Sequence, residues 1–440
     1  MDDLSLLPVR RGNSSGEALD ARRDWIVCQL GAREHYVLAA ELHRRGRLRA
    51  LCTDVWADDN SVWRLIATLA PSHGRMLLER RQPLLRDATV ITMKPGSVMA
   101  QAIVDRCSSP VSAWSRQMEA NRRFASVIAR RLAHGGMLRS SDRPAPVVFA
   151  YSYAAREIFA AAKRAGCFTV LGQIDPGPEE GALVAEIARR HGMTGDEARL
   201  PPAAYWEGWR QECQLADLVL INSNWGAALA KRAGVPAAKL GVAPLAFRPE
   251  ADRARAENCR AYPLRFTAER PLEVLFLGQV ILRKGVMELI DGMRRLRDAP
   301  VRLSMVGPVD PRLRAFAADL PCIEWHGRVA RSEAAGLYRR ADVFILPTHS
   351  DGFAITQLEA LAYDLPVISS RNCGDVIEHG VQGLRLEQVS AEAIENAVRF
   401  ALAHPEKLVE MSAEAAARLA LFSPERVVDA LIDAVEAKSG

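Results

Sequence analysis

Short apolar runs of five or six residues recur along the chain and alternate with segments whose apolar positions have helical spacing. The run from Trp25 to Leu30, which ends at Gly31, has the length and the flanks of a buried parallel strand. The segment 34–45 then predicts a helix, and 48–53 predicts a second strand. A strand, a helix and a strand in this order predict a right-handed crossover within a parallel sheet.

The same alternation continues through the first half of the chain. Further strands are predicted at 88–92, 146–150, 168–172 and 217–221, and the run 242–245 closes this half. Helices are predicted at 112–133, 154–165 and 225–233. Asn222 and Ser223 precede the last of these helices and are suited to cap it.

A second alternating set follows a charged segment, from Pro249 to Arg270, that has no strong period and in which we place the hinge. Strands are predicted at 272–277, 301–306, 322–326, 342–346 and 366–369, and Ser423 and Pro424 begin a final helix. The pattern predicts an α/β protein with two successive doubly wound, Rossmann-like domains. The predicted divisions are a mobile tail (1–23), an N-terminal domain (24–248), a C-terminal domain (249–423) and a C-terminal helix (424–440).

Composition and charge exclude several classes of protein. The 440 residues exceed the ~250–300 at which single cores stop growing, which also favours two domains. The net charge is only +5, and scattered arginines supply most of the positive charge, so nucleic-acid binding is not predicted. The eight cysteines form no C-x-x-C pair, which argues against a zinc site or a disulfide framework. With no signal-peptide pattern and no apolar run of ~18 residues, we expect a cytoplasmic protein.

The loops that follow strands are where chemistry is expected, because open parallel sheets bind ligands beyond the carboxyl ends of their strands. After the strand 272–277 comes Gly278, and then Arg283 and Lys284 at the start of a predicted helix. Helix N-termini attract anions, so two cations there predict a clamp for a phosphate or a diphosphate. The spacing is not that of a P-loop. The alternative is a solvated charge pair, which the helix dipole disfavours.

A pair of acidic residues follows the strand 342–346. Asp351 lies in the predicted loop and Glu359 about one turn inside the next helix, so both can face one cleft. Carboxylates accept hydrogen bonds from paired hydroxyls, which predicts a polyol ligand. The alternative is that Asp351 is a turn residue and Glu359 a surface helix residue.

Two loops of the N-terminal half carry weaker candidates. Gly31 permits close backbone approach, and His35 follows it, although a lone histidine is more often structural than catalytic. The segment from Gln173 to Glu180 contains Asp175, but its glycine and prolines are explained by turn formation alone.

The chain also contains motif runs that go beyond spacing arguments. They comprise Gly327-Arg328-Val329, Leu337-Tyr338, Ala341-Asp342-Val343, Pro347, Asp351-Gly352-Phe353, Leu358-Glu359-Ala360-Leu361-Ala362, Leu365-Pro366-Val367-Ile368 and Gly380-Val381-Gln382-Gly383-Leu384, with Glu34, Ala216-Asp217, Asn222-Ser223 and Gly234-Val235-Pro236 in the first half. With these runs the chain resembles glycosyltransferase family 4, a family of retaining enzymes with the two-domain GT-B fold. The resemblance is strongest between Val274 and Leu384.

The resemblance implies a role for each motif residue. Glu359 corresponds to the second acid of the family pair, which binds the donor ribose. Asp351 corresponds to the first acid, near the donor sugar, where the family usually has glutamate. Lys284 corresponds to the lysine on the diphosphate. The family usually has arginine where this chain has Gln279, and we hypothesise that Arg283 supplies the missing cation.

The remaining implied site residues fall into three groups. Sugar hydroxyls and phosphate would be bound by the backbone of Gly352, Phe353, Ala354, Ile355 and Thr356. The nucleotide base would lie near Gly307, Arg328 and Val329, with Gly278 and Gln279 in the donor loop. Candidates for the acceptor side are Gly31, Arg33, Glu34, His35 and Asp175.

The implied activity is retaining transfer of a hexose from a nucleoside-diphosphate sugar to a saccharide, a lipid or a small molecule. We expect no cofactor and no metal, since the chain has no Asp-x-Asp motif. The C-terminal helix is expected to return to the N-terminal domain, and no oligomeric state is predicted. The alternatives are a nucleotide-sugar epimerase or phosphorylase on the same frame, and a non-catalytic GT-B-like partner protein, which the departures at Gln279 and Asp351 would fit.

Peripheral contact with the inner membrane surface is a further hypothesis. The predicted helix 112–133 carries basic residues beside apolar ones, as an interfacial helix does: Arg122, Arg123, Arg130 and Arg131 beside Phe124, Val127 and Ile128. The alternative, a solvated outer face, is the commoner reason for such a pattern.

Overall fold

The computed structural model describes residues 23–57, 63, 80–99, 113–139, 144–193, 201–249 and 260–439. The predicted mobile tail lies outside the described residues except for Arg23, and so does the part of the predicted hinge between 250 and 259.

A parallel sheet of seven strands forms the centre of the first domain. Its strands are β1 (Trp25–Gln29), β2 (Leu48–Thr53), β3 (Val90–Thr92), β4 (Val147–Tyr151), β5 (Phe168–Gly172), β6 (Leu218–Ile221) and β7 (Leu240–Val242), and their order is β3-β2-β1-β4-β5-β6-β7. β1, β4 and β5 are buried along their whole length, which explains their continuous apolar sequences.

The helices of this half whose bounds lie within the described residues include α1 (Val37–Arg44), α2 (Ala113–His134), α3 (Arg156–Arg164), α4 (Pro178–Arg190), α5 (Ala203–Leu215) and α6 (Asn224–Arg232). Ser223 caps α6, as predicted, by accepting a hydrogen bond of 3.0 Å from the N–H of Gly226. The first helix begins at Val37 rather than at residue 34. The reason is that Glu34, His35 and Tyr36 adopt left-handed backbone conformations.

A parallel sheet of six strands forms the centre of the second domain. Its strands are β8 (Leu272–Leu277), β9 (Val301–Val306), β10 (Ile323–Gly327), β11 (Val343–Leu346), β12 (Val367–Ser370) and β13 (Gly383–Leu386), in the order β10-β9-β8-β11-β12-β13. In both sheets the order reverses beside the first strand, between β1 and β4 and between β8 and β11. Ligands of such sheets bind at this reversal, beyond the carboxyl ends of the strands.

The helices of the second half are α7 (Val286–Arg295), α8 (Pro311–Phe316), α9 (Arg331–Arg340), α10 (Thr356–Leu361), α11 (Ala391–Ala403), α12 (Pro405–Ala413), α13 (Ala415–Leu419) and α14 (Pro424–Ser439). The last helix returns to the first domain, as expected. Val428 and Leu431 of α14 are buried in one cluster with Trp25 and Tyr36. An ion pair of 3.0 Å between Arg45 and Asp429 adds to this contact.

Helix α4 makes the opposite crossing. It follows β5 of the first domain in sequence, but Ile187 and Ala188 are buried in the apolar core of the second domain. Met193, just after the helix, belongs to the same core. The predicted boundary at residue 248 therefore does not separate two independent cores, because each domain receives a helix from the other part of the chain.

Candidate active site

A cleft of about 1000 Å³ lies between the two domains at the carboxyl ends of both sheets. Most of the residues predicted for the site line it, namely Gly278, Lys284, Gly307, Arg328, Val329, Asp351, Phe353, Ala354, Ile355, Thr356 and Glu359 from the second domain and Glu34 and His35 from the first. Of the other predicted site residues, Gly31, Arg33, Asp175, Gln279, Arg283 and Gly352 are outside its lining.

Two glycines let the loops after β8 and β9 approach each other at the floor of the cleft. Gly278 has φ of 153° and Gly307 has φ of 138°, values that favour glycine. A side chain at Gly307 would overlap the carbonyl oxygen of Gly278. Backbone, rather than side chains, therefore faces the ligand space at this point.

The loop after β8 is bound directly to the loop after β11. Residues 282–284 form a 3-10 turn that ends at Gly285, whose φ is 70° and whose position leaves no room for a side chain beside the carbonyl of Pro347. The N–H of His349 donates to the carbonyl of Arg283 at 2.8 Å. This pairing of loops brings the Lys284 ammonium into contact with the Asp351 carboxylate.

The Lys284 side chain is only 12% exposed. Burial and the neighbouring Arg283 guanidinium lower the pKa of Lys284 to about 7, and contact with the Asp351 carboxylate acts in the opposite direction. A second anion beside Lys284, such as a diphosphate, would favour its charged form.

Arg283 does not take the place that Gln279 leaves open. Its guanidinium donates to the carbonyl of Ser350 at 2.6 Å and to Glu180 of α4 at 3.3 Å, and it lies 3.9 Å from the Asp351 carboxylate. Burial raises the pKa of Glu180, and the charge of Arg283 opposes this effect. Arg283 therefore holds the loop around Asp351 and is not part of the cleft lining. Gln279 is exposed and is also outside the cleft lining.

Glu359 lies in the first turn of α10 and is oriented by a buried tyrosine. The hydroxyl of Tyr338, in α9, donates to Glu359 at 2.9 Å. Tyr338 is fully buried and its ring stacks on Tyr363 at a centroid distance of 5.2 Å. No role was predicted for this tyrosine from the sequence, although it lies nine residues after Val329, within the region of strongest resemblance.

The loop between Asp351 and α10 is held in a strained conformation. Ala354 has φ of 62°, which is uncommon for a residue other than glycine. The side chain of Gln357 donates to the carbonyl of Phe353 at 3.1 Å. Gly352 lies at the domain interface, where a side chain would come within 3.1 Å of the Asn222 amide. Packing against both domains therefore fixes the loop beside the cleft.

On the opposite wall, Glu34 and His35 lie in the left-handed turn that precedes α1. The Tyr151 hydroxyl donates to the Glu34 carboxylate at 3.0 Å, and the Gln29 amide donates to the carbonyls of Gly31 (3.0 Å) and Arg33 (3.2 Å). Burial raises the pKa of Glu34 against the opposing effect of the Tyr151 hydrogen bond. Strain of this kind concentrates at functional sites.

The other acceptor-side candidates have partners away from the cleft. The N–H of Gly31 donates to Asp54 at 3.0 Å, and the Arg33 guanidinium lies over the Tyr151 ring at 5.5 Å. Asp175 accepts hydrogen bonds from the Tyr153 hydroxyl (2.6 Å) and from the N–H before α4 at Gly177 (2.9 Å). Asp175 thus holds the start of α4, a structural role that its turn-rich sequence already allowed.

Several contacts beside the site were not predicted from the sequence. The Trp225 indole of the first domain donates to the Ser350 hydroxyl at 3.0 Å, next to Asp351. Glu288 of α7 lies 2.8 Å from His349 and 3.5 Å from His191, which follows α4. A single sequence gives no sign of such pairs, since the two partners are far apart along the chain.

Within the part of the chain that the structure describes, no group of three or more His, Cys, Asp or Glu side chains is arranged to hold a metal ion. None of the helices described is both long enough and apolar enough to cross a bilayer. The apolar face that suggested membrane contact is turned inward, because Phe124 and Ile128 of α2 are buried in the core of the first domain. That helix therefore gives no support to the hypothesis of membrane contact.

Part of the chain is similar to known glycosyltransferases. Residues 271–404 match the model of the family described as glycosyl transferases group 1. The amylovoran biosynthesis glycosyltransferase AmsK of Erwinia amylovora is 26% identical over 225 residues, which are 48% of this chain and 51% of AmsK. The D-rhamnosyltransferase WbpZ of Pseudomonas aeruginosa is 32% identical over 152 residues, 33% of this chain and 40% of WbpZ. The matched part of the chain thus spans about half the length of these relatives or less.

Solved structures share the fold over nearly the whole chain. The crystal structure of Anabaena HepE in complex with UDP superposes with a TM-score of 0.58, covering 94% of this chain and 100% of that one at 14% identity. At this identity the likeness concerns the fold alone, and it confirms that the two Rossmann-like domains have the GT-B arrangement.

Proposed function

We propose that this protein is a glycosyltransferase of family 4 that transfers a hexose, with retention and without a metal, from a nucleoside-diphosphate sugar. The observation that carries the proposal is that Lys284, Asp351 and Glu359 line one interdomain cleft at the strand-order reversal of the second sheet. The group 1 match over residues 271–404 and the UDP bound by Anabaena HepE support the same assignment of the donor.

Each of the three side chains suits one part of such a donor. Glu359, held by the Tyr338 hydroxyl, accepts hydrogen bonds from the ribose hydroxyls. Lys284 stabilises the negative charge that develops on the departing diphosphate. Asp351, held between Lys284 and Arg283, accepts from a hydroxyl of the transferred sugar. Loss of a preorganised stabiliser of this kind typically costs ~10²–10³ in rate.

The acceptor enters from the first domain in this proposal. Glu34 and His35 face the same cleft as Lys284 and Asp351, and the hydrogen bonds around the left-handed turn fix their positions. With retention, the acceptor hydroxyl approaches on the face that the diphosphate leaves.

A transfer assay tests the proposal and separates it from its alternatives. Purified protein is incubated with UDP-, GDP- and ADP-sugars and a set of acceptors, with and without EDTA, and the anomeric configuration of donor and product is read by NMR. We expect transfer with retained configuration that EDTA does not abolish. Conversion of the donor sugar without an acceptor would indicate an epimerase, consumption of phosphate a phosphorylase, and tight nucleotide binding without turnover a non-catalytic protein.

A further inference from the structure

A second cavity, of about 310 Å³, lies in the first domain between α2, α5 and the start of α3. Its volume falls at the lower end of the ~300–1,000 Å³ that is usual for small-molecule sites. The donor chemistry proposed above makes no use of it. Its lining combines an aromatic wall with a polar wall, which together define the ligand that it fits.

The aromatic wall is centred on Tyr205. Its ring stacks on Tyr153 with centroids 4.5 Å apart, and the rings of Trp114 and Trp206 each contact it edge-on at 5.0 Å. Tyr153 and Tyr205 are only half-buried, whereas Trp209 behind them is buried. Aromatic rings braced in this way offer flat apolar surface with little loss of conformational entropy when a ligand binds.

The polar wall carries charged groups that are already paired with each other. Arg122 pairs with Glu119 at 2.9 Å, and Arg156 pairs with Glu157 at 2.7 Å. The Glu212 carboxylate accepts from backbone N–H groups at the start of α3, at 2.6 and 2.7 Å. These pairs leave no excess of positive charge to attract a phosphate, yet they present hydrogen-bond donors and acceptors. A neutral ligand with many hydroxyls fits this wall better than an anion does.

The cavity lies beside the cleft but is separated from it by one loop. Tyr153 lines the cavity, and its hydroxyl donates to Asp175 at 2.6 Å. Ile174, the residue before Asp175, lines the cleft. A ligand long enough to pass this loop would reach both spaces. A sugar ring held in the cavity would therefore not be the ring whose hydroxyl reacts.

We propose that this cavity binds a neutral pyranose ring of a saccharide acceptor, at least one sugar removed from the reacting hydroxyl. The aromatic wall packs against the C–H face of the ring, and the paired charged groups together with Asn121 bind its hydroxyls. The place of this ring on an acceptor rests on the proposed transferase function, whereas saccharide binding at the cavity is measured independently of it.

The test uses Gly208, a glycine inside α5 that lines the cavity and has open space where a side chain would point. Gly208→Leu fills the cavity and also favours the helix, because glycine costs ~1 kcal/mol there. Saturation-transfer NMR is recorded on the full chain with methyl hexosides, maltose, cellobiose and lactose as probes, and with UDP as a separate ligand. The matched control is Gly336→Leu in α9, where the added side chain would meet only the flexible Arg340 side chain.

We expect saturation of sugar ring protons with the wild type and with Gly336→Leu, and at least fivefold weaker saturation with Gly208→Leu, while the UDP signals stay unchanged. Tyr205→Phe should keep the sugar signal and Tyr205→Leu should lose it. Absence of any saccharide signal in wild type that binds UDP, or a signal that persists in Gly208→Leu, would overturn the cavity assignment. Failure to bind any nucleotide would instead count against the proposed function.

Discussion

Glu359 owes its orientation to one hydroxyl in the protein interior. Tyr338 donates to it at 2.9 Å, and the Tyr338 ring is fixed by stacking on Tyr363. Hydrogen bonds to charged groups contribute ~1.5–3 kcal/mol, and loss of this one would remove part of that amount from the binding free energy of a ligand at Glu359. Tyr338 therefore acts on the ribose through Glu359, as a positioning residue.

Replacing Tyr338 by phenylalanine should weaken UDP binding about three- to tenfold, because Glu359 loses its partner but the stacked ring remains. The affinity for 2′,3′-dideoxy-UDP should change much less, since that ligand has no ribose hydroxyls to bind Glu359. Titration calorimetry measures both. Tyr262→Phe, which removes a hydroxyl bonded at 3.0 Å to the carbonyl of Asp342 outside the cleft, is the control. Equal losses for both ligands would show that Tyr338 has only a structural role.

The lowered pKa of Lys284 predicts that donor binding depends on pH. A diphosphate needs the charged ammonium, whose pKa burial and Arg283 bring to about 7 in the free protein. UDP affinity should therefore fall as the pH rises from 6 to 9, with uptake of a proton that calorimetry in buffers of different ionisation enthalpy detects. Lys284→Met should bind UDP more weakly at pH 6 and show a flatter profile. Identical pH profiles for the two proteins would contradict this role.

At the residue scale the sequence predicted which side chains meet better than how they are held. Lys284, Asp351 and Glu359 were placed in one cleft from loop positions and from the resemblance, and they line one cleft. Arg283 was expected to face the ligand, but Glu180 and Ser350 hold it behind Asp351. The partner Glu180 belongs to α4, and a contact over such a separation leaves no periodic signal in one sequence.

At the scale of elements, the start of α3 depends on a buried carboxyl. Glu212 of α5 accepts from the N–H groups of Tyr153, Ala155 and Arg156, and burial raises its pKa to about 7 against these hydrogen bonds. Since the folded-state pKa is above the unfolded value of about 4.5, the folded state binds the proton more tightly. The contribution of Glu212 to stability is therefore lost progressively as the pH rises from 4.5 through 7.

Thermal unfolding should report this loss. The Tm of the wild type should decline between pH 5 and 8 by several degrees more than that of Glu212→Gln, whose amide does not titrate. Differential scanning fluorimetry at matched ionic strength compares the two. Glu207→Gln, an exposed change on the same helix, serves as control and should follow the wild type. Parallel pH profiles for the wild type and Glu212→Gln would refute the argument.

Element boundaries were predicted well where apolar runs are long and poorly where backbone strain or long-range packing decides them. The strands 168–172, 272–277 and 301–306 were predicted to the residue. The start of α1 was wrong by three residues, because nothing in Glu34, His35 or Tyr36 marks a left-handed turn. Helix α4 was overlooked although Pro178 followed by two glutamates is a typical helix start.

At the scale of the whole molecule, the two domains are joined by crossing helices. Leu431 of α14 is 2% exposed in the core of the first domain. Leu431→Ala should lower the free energy of unfolding by about 2–5 kcal/mol, as expected for a large buried aliphatic side chain. Val409→Ala, at a position that is 43% exposed, should change it by less than ~0.5 kcal/mol. Chemical denaturation measures both, and a Leu431→Ala protein as stable as the wild type would contradict the packing of α14.

The most direct test of the account is a crystal structure of the protein with a nucleoside-diphosphate sugar. We predict the ribose against Glu359, the diphosphate at Lys284 beside Gly278 and Gly307, and the sugar next to Asp351, all within the interdomain cleft. A nucleotide bound elsewhere, for example at the separate cavity lined by Arg270, Arg302 and Arg340, with no contact to Lys284 or Glu359, would contradict it.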